Sequence, residues 1–397
     1  MRRRTRRQSE VGTACGPSRE KLLSVDMSVR DLIIVGAGPS GLSAAIAAKK
    51  RGIDYHIVEQ GVLVNSIYHF PPQMVFFTTP ELLEIGGLPF VSPYDKPRRA
   101  EALLYYRKVV DRYDLQISFD EKVLAITREQ EADETIFALE TRTGLGVRRI
   151  RHARFVVLAI GYYDRPNFIL VPGEELPHVH HYYMEPHPFY RQRVVVVGGG
   201  NSAAEAALEL YRAGAHVTLV HRRRHLKPTI KYWVRPDIEN RIKEGSIAAR
   251  FGVCVTEIRP RSILVQTNIE RDLSAERAVI AREAAADRDS ALARDAALEP
   301  EAALEREPVP DRAAEEIPAE TVFLLTGYRA DSELMCRAGI MLNDREAPVH
   351  HPETFETNVP NLFIAGGAIA GKDTGTIFIE NGRFHGDKII EAIADRV

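Results

Sequence analysis

The chain has 397 residues, a formal net charge of −2 at pH 7, 45% hydrophobic residues and 27% charged residues. This is the composition of an ordinary globular protein, and the near-neutral charge gives no indication of a nucleic-acid or membrane partner. No apolar run approaches the roughly 20 residues that span a bilayer, so a cytoplasmic location is expected. The length favours two nucleotide-sized domains over a single one.

The first 27 residues, beginning MRRRTRRQSE, are basic and lack the apolar core of a secretory signal. We interpret residues 1–27 as a disordered leader. The three cysteines, Cys15, Cys254 and Cys336, are far apart and form no C-x-x-C motif. Neither a metal site nor a local redox dithiol is therefore predicted.

The segment DLIIVGAGPSGLSAAIAAKKRGIDYHIVEQ (31–60) predicts a buried strand, a glycine turn, a helix and a second strand. Its turn matches G-x-G-x-x-G, and Glu59 stands at the end of the second strand. Such glycines let the backbone approach a pyrophosphate at the helix N-terminus, and the acid accepts hydrogen bonds from a ribose but repels a 2′-phosphate. FAD or NAD is thus favoured here. The candidate cofactor-binding residues are Gly36, Gly38, Ser40, Gly41, Glu59 and Gln60.

The segment RVVVVGGGNSAAEAALELYRAGAHVTLVHR (193–222) repeats this strand, turn, helix and strand pattern. Here the second strand runs into the basic stretch HRRRHLK (221–227) instead of an acid. Guanidinium groups match phosphate geometry, so this position favours the 2′-phosphate of NADPH. The candidate residues are Gly198, Gly200, Asn201, Ser202, Ala203, Arg222, Arg223 and Lys227.

Two similar phrases, VVLAIGYYDRP (156–166) and VFLLTGYRAD (322–331), flank the second unit. Each predicts a strand that runs into a Gly-aromatic turn, as expected where the chain crosses between two domains. The fold class predicted is α/β, with two Rossmann-like dinucleotide-binding domains. The FAD-binding domain comprises 28–165 and 328–397, and the NADPH-binding domain, 166–327, is inserted in it.

Residues 270–320 are low in complexity, rich in alanine and acidic residues, and without an aromatic residue. They lack a sustained apolar stripe. We predict a partly helical insertion in a surface hairpin, between the strand-like stretches 262–267 and 321–328.

A third glycine feature is NLFIAGGAIAGKDTGTIFIENGRFHGDKI (361–389). A strand is predicted to run into Gly366 and Gly367, and a helix to begin near Ile377, so that backbone N–H groups face a flavin. An FAD site and an NADPH site in one chain indicate hydride transfer from NADPH to the flavin. No catalytic residue is assigned. The candidates are Ser40, His69 and His385, of which the two histidines are considered as proton donors.

The glycine loop at 198–207 and the basic stretch 221–227 are similar to those of thioredoxin-reductase-like flavoproteins. Three longer stretches, 63–90, 227–247 and 376–389, resemble the YpdA family of bacillithiol-disulfide reductases. This resemblance implies a homodimer that reduces a low-molecular-weight disulfide. It also implies that FAD is bound through Gly36, Gly38, Gly41 and Glu59, and NADPH through Gly198, Gly200, Ser202, Arg222 and Arg223.

The chain departs from this family at Ser40, where described members have a cysteine. A hydroxyl cannot form a mixed disulfide. Either reduced flavin passes electrons directly to the disulfide, or the protein reduces another acceptor. An NADPH reductase for ferredoxin or flavodoxin is the main alternative, and a flavin monooxygenase or a redox sensor without turnover are further ones.

Overall fold

The computed structural model describes residues 24–131, 134–267 and 314–397. The strands are Ser24–Val35 (β1), Tyr55–Val58 (β2), Ile117–Ser118 (β3), Glu121–Glu131 (β4), Glu134–Thr143 (β5), Arg148–Leu158 (β6), Arg165–Pro166 (β7), Val179–His180 (β8), Arg193–Val197 (β9), His216–His221 (β10), Ala248–Phe251 (β11), Val253–Arg259 (β12), Ser262–Thr267 (β13), Glu315–Pro318 (β14), Thr321–Leu324 (β15), Tyr328–Arg329 (β16) and Leu362–Ile364 (β17). The helices are Pro39–Lys50 (α1), Asn65–Tyr68 (α2), Arg99–Tyr113 (α3), Asn201–Arg212 (α4), Arg235–Lys243 (α5), Ser332–Arg337 (α6), Ile379–Gly382 (α7) and His385–Ala394 (α8). Short 3-10 turns are Pro80–Leu83, His187–Phe189 and Gly366–Ala370.

The first sheet has the strand order β3-β2-β1-β6-β5-β4, and β17 also pairs with β6. Strand β1 lies parallel to β2 and β6, in a register that places Leu32 beside Phe155 and Val35 beside Leu158. These strands are apolar on both faces because helices α1, α3 and α8 cover one face while α6 and strand residues of β4 and β5 pack on the other. The carboxyl end of β1 is therefore held between two buried layers.

The second sheet has the order β11-β10-β9-β15-β8, with all pairs parallel. Helix α4 packs on one face, and the antiparallel strands β12-β13-β14 pack on the other. The valine run at 194–197 is central and buried apart from its partly exposed last residue, as expected for a strand covered on both faces. This is a second strand, glycine turn, helix and strand unit, and the predicted α/β class with two Rossmann-like units is confirmed.

The chain leaves the first sheet and returns to it. Strand β17, in the last part of the sequence, pairs parallel with β6 and places Leu362 beside Val156. The crossing segments β7 and β16 pair antiparallel, with Tyr328 beside Pro166. The two phrases that the sequence predicts as crossings therefore lie side by side. The domain boundaries assigned from them stay a prediction.

Two predicted segment boundaries differ from the structure. The predicted leader ends at residue 27, but β1 begins at Ser24, because the long strand β6 offers Arg149 and Ile150 as pairing partners to residues 24 and 25. The predicted insertion ends at 320, but β14 completes the hairpin with β13 and contributes buried Ile317 to the core. Residues 1–23 of the leader and 268–313 of the insertion region lie outside the described residues. No helix within the described ranges is both long and apolar enough to cross a bilayer.

Candidate functional site

The first glycine loop connects the carboxyl end of β1 to α1. Gly36 has φ of 108°, and a Cβ on it would overlap the carbonyl oxygen of Ala159. A Cβ on Gly41 would overlap the carbonyl oxygen of Gly36, whereas a Cβ on Gly38 would meet no heavy atom within 4 Å. Gly36 and Gly41 thus allow strand and helix to approach, and Gly38 leaves open space at the N-terminus of α1. This arrangement fits a pyrophosphate, with backbone N–H groups and the helix dipole facing the ligand.

Glu59 directly follows β2 and lies beside this loop, and its side chain is buried. Its carboxylate accepts hydrogen bonds from the backbone N–H of Ala37 at 2.7 Å and of Gly61 at 2.8 Å. Burial raises the pKa of Glu59, against the lowering effect of those two donors. A carboxylate has about four acceptor positions, so Glu59 keeps capacity for ribose hydroxyls. The amide of Gln60, by contrast, donates to Asp164 at 2.7 Å.

Ser40 is the second residue of α1 and lies against the C-terminal segment. A Cβ on Gly366 would overlap the Ser40 hydroxyl oxygen, and a Cβ on Gly382 would lie 3.1 Å from it. One turn further, the Ser43 hydroxyl donates to the carbonyl oxygen of Arg383 at 2.6 Å. The position of Ser40 therefore admits only a small side chain, since two glycines close around it.

The turn at Gly366 follows β17, and His385 supports it. The Nδ1 atom of His385 accepts a hydrogen bond from the Gly366 N–H at 3.1 Å, and its ring stacks on Phe355 with centroids 4.2 Å apart. Burial lowers the pKa of His385 to about 4, with smaller effects of His350 and Lys388. A neutral imidazole that accepts at Nδ1 carries its proton at Nε2. The geometry supports a role in positioning Gly366 rather than the predicted role of proton donor.

The other predicted residues of the first site are Ile377, Gly367 and His69. A helix is expected near Ile377, but α7 begins two residues later. Asn381 accepts from the Phe378 N–H at 2.9 Å and donates to the Thr376 carbonyl at 2.9 Å, so it holds the preceding turn out of the helix. A Cβ on Gly367 would lie 2.6 Å from the Tyr162 ring. His69 is exposed, and its Nδ1 is 2.9 Å from the Asn65 carbonyl of its own turn.

The second glycine loop connects β9 to α4. Gly198 has φ of 157°, and a Cβ on it would lie 2.5 Å from the Leu325 carbonyl oxygen and 2.8 Å from the Ala203 Cβ. A Cβ on Gly200 would meet only the side chain of Lys227, at 3.7 Å. The Lys227 N–H also donates to the Gly199 carbonyl at 2.9 Å. The basic stretch is thus folded onto the glycine loop, as the sequence predicts.

The polar residues at this loop divide into two groups. Ser202 and Arg222 are exposed and Arg223 is half-buried, so these side chains are accessible to a phosphate. Asn201, predicted as a phosphate donor, is engaged elsewhere: its amide oxygen accepts from the Lys231 N–H at 2.8 Å, and its amide nitrogen donates to the Thr229 carbonyl at 3.2 Å. The Asn201 side chain holds the 227–231 loop in place.

His221 is a second buried histidine at a glycine loop. Its ring covers Gly199, where a Cβ would overlap it. Burial, together with the smaller effects of the cationic side chains of Arg222, Arg223 and Lys227, lowers the pKa of His221 to about 4. The second glycine loop therefore lies against His221 and the Gly366 turn against His385, and both imidazoles are neutral at pH 7.

Acidification is expected to destabilise the fold as the pH falls from about 6.5 towards 4. An unfolded histidine has a pKa near 6.5, whereas His221 and His385 have pKa values of about 4. The unfolded chain binds the additional protons, so this stability is complete above about pH 6.5 and is lost below it, by up to about 3 kcal/mol for each histidine.

Thermal melting of the protein at pH 7 and pH 5 measures this effect. His385→Gln, whose amide oxygen can still accept from Gly366, should show a smaller drop in Tm between the two pH values than the wild type. His216→Gln, at an exposed histidine, is the matched control. An equal drop in all three proteins would contradict the prediction.

Sequence reasoning missed a contact between the two halves of the chain. The Lys231 ammonium group donates to the carbonyl oxygen of Val75 at 2.9 Å and to Glu205 at 2.7 Å. Trp233 stacks on Phe77, with ring centroids 5.8 Å apart. The stretch 227–247 carries part of the family resemblance, but no residue pattern in it indicates which segment of the chain it contacts.

The cysteines within the described ranges lie on other elements. Cys254 is half-buried on β12, Cys336 is exposed on α6, and both are free thiols. Across the same ranges, no three or more His, Cys, Asp or Glu residues are grouped so that they could hold a metal ion.

The chain is similar to a described protein family and to proteins of known structure. A family model described as pyridine nucleotide-disulphide oxidoreductase matches residues 33–287. The chain is 38% identical to bacilliredoxin reductase Bdr of Bacillus subtilis (strain 168), over 92% of this chain and 97% of that protein. It is similar to the structure of bacillithiol disulfide reductase Bdr (YpdA) from Bacillus cereus, with a TM-score of 0.79, 36% identity and coverage of 93% and 100% of the two chains. The corresponding values for the Staphylococcus aureus protein are 0.77, 35%, 93% and 99%.

Proposed function

This chain belongs to the pyridine nucleotide-disulphide oxidoreductase family, and we propose that it is an NADPH-dependent flavoprotein that reduces a low-molecular-weight disulfide such as bacillithiol disulfide. The overall reaction is RSSR + NADPH + H⁺ → 2 RSH + NADP⁺. The related proteins named for bacillithiol disulfide and for bacilliredoxin support a disulfide as the acceptor.

The contrast between the two glycine loops carries this proposal. The first loop lies beside the buried carboxylate of Glu59, which suits a ribose with free hydroxyls, and the second lies beside the basic stretch 221–227. A 2′-phosphate is repelled at the first site and attracted at the second. We therefore assign FAD, which has no 2′-phosphate, to the first loop and NADPH, which has one, to the second.

When bound, FAD would supply a two-electron carrier between the nicotinamide and the disulfide. The chain itself would bind and orient. The N–H groups at the start of α1 and Glu59 would hold the FAD pyrophosphate and ribose, and the Gly366 turn, supported by His385, would present backbone N–H groups to the flavin end. Gly198, Gly200, Ser202, Arg222 and Arg223 would hold NADPH.

We further propose that no thiol of the protein takes part in disulfide reduction. Ser40 lies in the first glycine loop, where the resembling family has a thiol, and Gly366 and Gly382 lie close to its hydroxyl. The two described cysteines lie on β12 and α6, and not on the elements that carry the glycine loops. The disulfide would then receive its electrons without a mixed disulfide to the chain.

A cysteine-free variant, C15S/C254S/C336S, is expected to keep disulfide-dependent NADPH oxidation within about twofold of the wild type, because the proposed reaction uses no protein thiol. Steady-state NADPH consumption with bacillithiol disulfide measures this, after flavin content and Tm have been matched. A loss of tenfold or more in a folded, flavin-loaded variant would show that a protein thiol is required.

Anaerobic stopped-flow absorbance tests the proposed function as a whole. NADPH should bleach the flavin absorbance of the holoprotein, and a disulfide should restore it. The acceptors to compare are bacillithiol disulfide, glutathione disulfide, oxidised bacilliredoxin, ferredoxin and oxygen. Absence of bleaching would exclude every reductase function, and fastest reoxidation by ferredoxin would replace the disulfide as substrate. The homodimer stays a prediction, which sedimentation analysis would check.

A further inference from the structure

Lys231 is a buried cation at the contact between the two halves of the chain. It is only 5% exposed. Its ammonium group pairs with Glu205 on α4 at 2.7 Å and donates to the Val75 carbonyl at 2.9 Å. A buried ammonium group is costly unless it is paired and hydrogen-bonded. Lys231 therefore has its donors satisfied only while the 75–77 segment lies against the 229–233 loop.

The Trp233 ring lies near this ammonium group, with its centroid 5.8 Å from the Lys231 Nζ. Trp233 stacks on Phe77 at an interplanar angle of 24°, and the Lys96 ammonium lies 4.7 Å from the centroid of the Trp233 ring. Burial lowers the pKa of Lys96, and the nearby Lys231 charge lowers it further. Trp233 is the single tryptophan of the chain. Its fluorescence therefore reports this contact alone.

The contact is connected by hydrogen bonds to the NADPH loop. Asn201, the first residue of α4 after Gly200, accepts from the Lys231 N–H and donates to the Thr229 carbonyl. The Lys227 N–H binds the Gly199 carbonyl at 2.9 Å. The loop that carries Lys231 is thus fixed to the glycine turn at both of its ends.

The other side of the contact is connected to the FAD loop. The segment at Val75 pairs with the residues before α3, where the Arg99 N–H donates to the Met74 carbonyl at 3.0 Å. The Arg99 guanidinium donates to the Ile67 carbonyl at 3.1 Å, at the end of α2. The Val64 N–H, just before α2, donates to the Ala37 carbonyl of the first glycine loop at 3.1 Å.

From these contacts we infer that Lys231 is a positioning residue for hydride transfer, which fixes the NADPH loop relative to the FAD loop. This inference rests on the proposed function. Hydride transfer requires the nicotinamide and the flavin at contact distance, and small misplacements slow such a step strongly. Binding of the adenosine end of NADPH depends on the second glycine loop and the basic stretch 221–227, and it does not need the bond from Lys231 to Val75.

Lys231→Met tests the inference, because methionine keeps the volume of the stem and removes the donors. We expect NADPH-dependent bleaching of the flavin to slow by about tenfold or more, while the Kd of NADP⁺ changes by less than about threefold. Reoxidation of dithionite-reduced flavin by the disulfide should keep its rate. Lys108→Met, at an exposed lysine of α3, is the matched control, and Lys231→Arg should restore part of the bleaching rate.

Trp233 fluorescence provides a readout that does not depend on turnover. In Lys231→Met, its emission should shift to the red and its quenching by acrylamide should increase, whereas Lys108→Met should match the wild type. Unchanged Trp233 quenching, or unchanged bleaching, would overturn the inference. Glu205→Gln serves as the second variant should Lys231→Met fail to fold, because it removes the ion pair and keeps the bond from Lys231 to Val75. It should slow flavin bleaching and increase Trp233 quenching, each by less than in Lys231→Met.

The two proposals fail in different ways. If wild-type flavin is not bleached by NADPH, the proposed function is wrong, whatever Trp233 shows. If wild-type flavin is bleached but the Lys231→Met and wild-type rates agree, only the positioning role is wrong.

Discussion

Replacing Arg222 and Arg223 together by alanine is expected to raise KM for NADPH about a hundredfold and to leave KM for NADH nearly unchanged. Each guanidinium–phosphate hydrogen bond contributes roughly 1.5–3 kcal/mol, and about 1.4 kcal/mol is a factor of ten in affinity. The predicted loss is specific to the 2′-phosphate because NADH lacks this group. Steady-state kinetics with both nucleotides and a saturating disulfide measure it.

A matched control removes two positive charges elsewhere. Arg107 and Lys108 are adjacent exposed cations on α3, and R107A/K108A changes the net charge by the same amount. It should leave KM for both nucleotides as in the wild type. Equal losses for NADPH and NADH in R222A/R223A would mean that the basic stretch supports the loop and does not read the phosphate.

Replacing Gly41 by alanine is expected to abolish stable FAD binding. The new Cβ would overlap the Gly36 carbonyl oxygen, where β1 and α1 approach most closely. Overpacking of this kind costs roughly 1–3 kcal/mol, and here it displaces the helix N-terminus that faces the pyrophosphate. We expect the purified variant to carry less than about a tenth of the wild-type flavin, measured by absorbance per chain after denaturation.

Gly38→Ala separates steric overlap from ligand contact. Gly38 has φ of −77°, and open space surrounds its Cβ position. The flavin-free form of Gly38→Ala should therefore melt close to the wild type, while its FAD affinity falls. Flavin-free Gly41→Ala should melt at a lower temperature than both. Full flavin content in Gly41→Ala would contradict the steric argument.

The sequence was sufficient for features whose signal is local. The glycine turns follow from residue spacing, and α1 begins at Pro39 where the pattern predicts it, because proline suits the first helical turn. The return of the last segment to the first sheet also follows from the two similar phrases at 156–166 and 322–331. Each of these depends on a few neighbouring residues.

Features decided by distant partners could not be predicted in this way. The bond from Lys231 to Val75 joins residues 156 positions apart, and neither residue type indicates the other. Asn201 looks like a phosphate donor until the 227–231 loop occupies its amide. Strand β14 is four residues long with a single buried side chain, Ile317, which is too short for a periodic signal.

Ser40 shows how the structure changes the meaning of a residue. From the sequence it is a missing thiol. In the fold it is a small side chain between Gly366 and Gly382, where the start of α1 meets the C-terminal segment. The close approach of the two glycines therefore gives its small size a role in packing.

The short ladder between β7 and β16 has an evolutionary consequence. It holds Pro166 and Tyr328 side by side, so the long stretch of chain between them begins and ends at nearly one point in space. A protein can accept an inserted segment of this kind within one turn without distorting its own sheet, since only the short antiparallel pair of β7 and β16 has to be accommodated. Insertion of a duplicated gene segment would then produce two similar units in one reading frame. Each unit could diverge in whether it accepts a ribose with free hydroxyls or one with a 2′-phosphate.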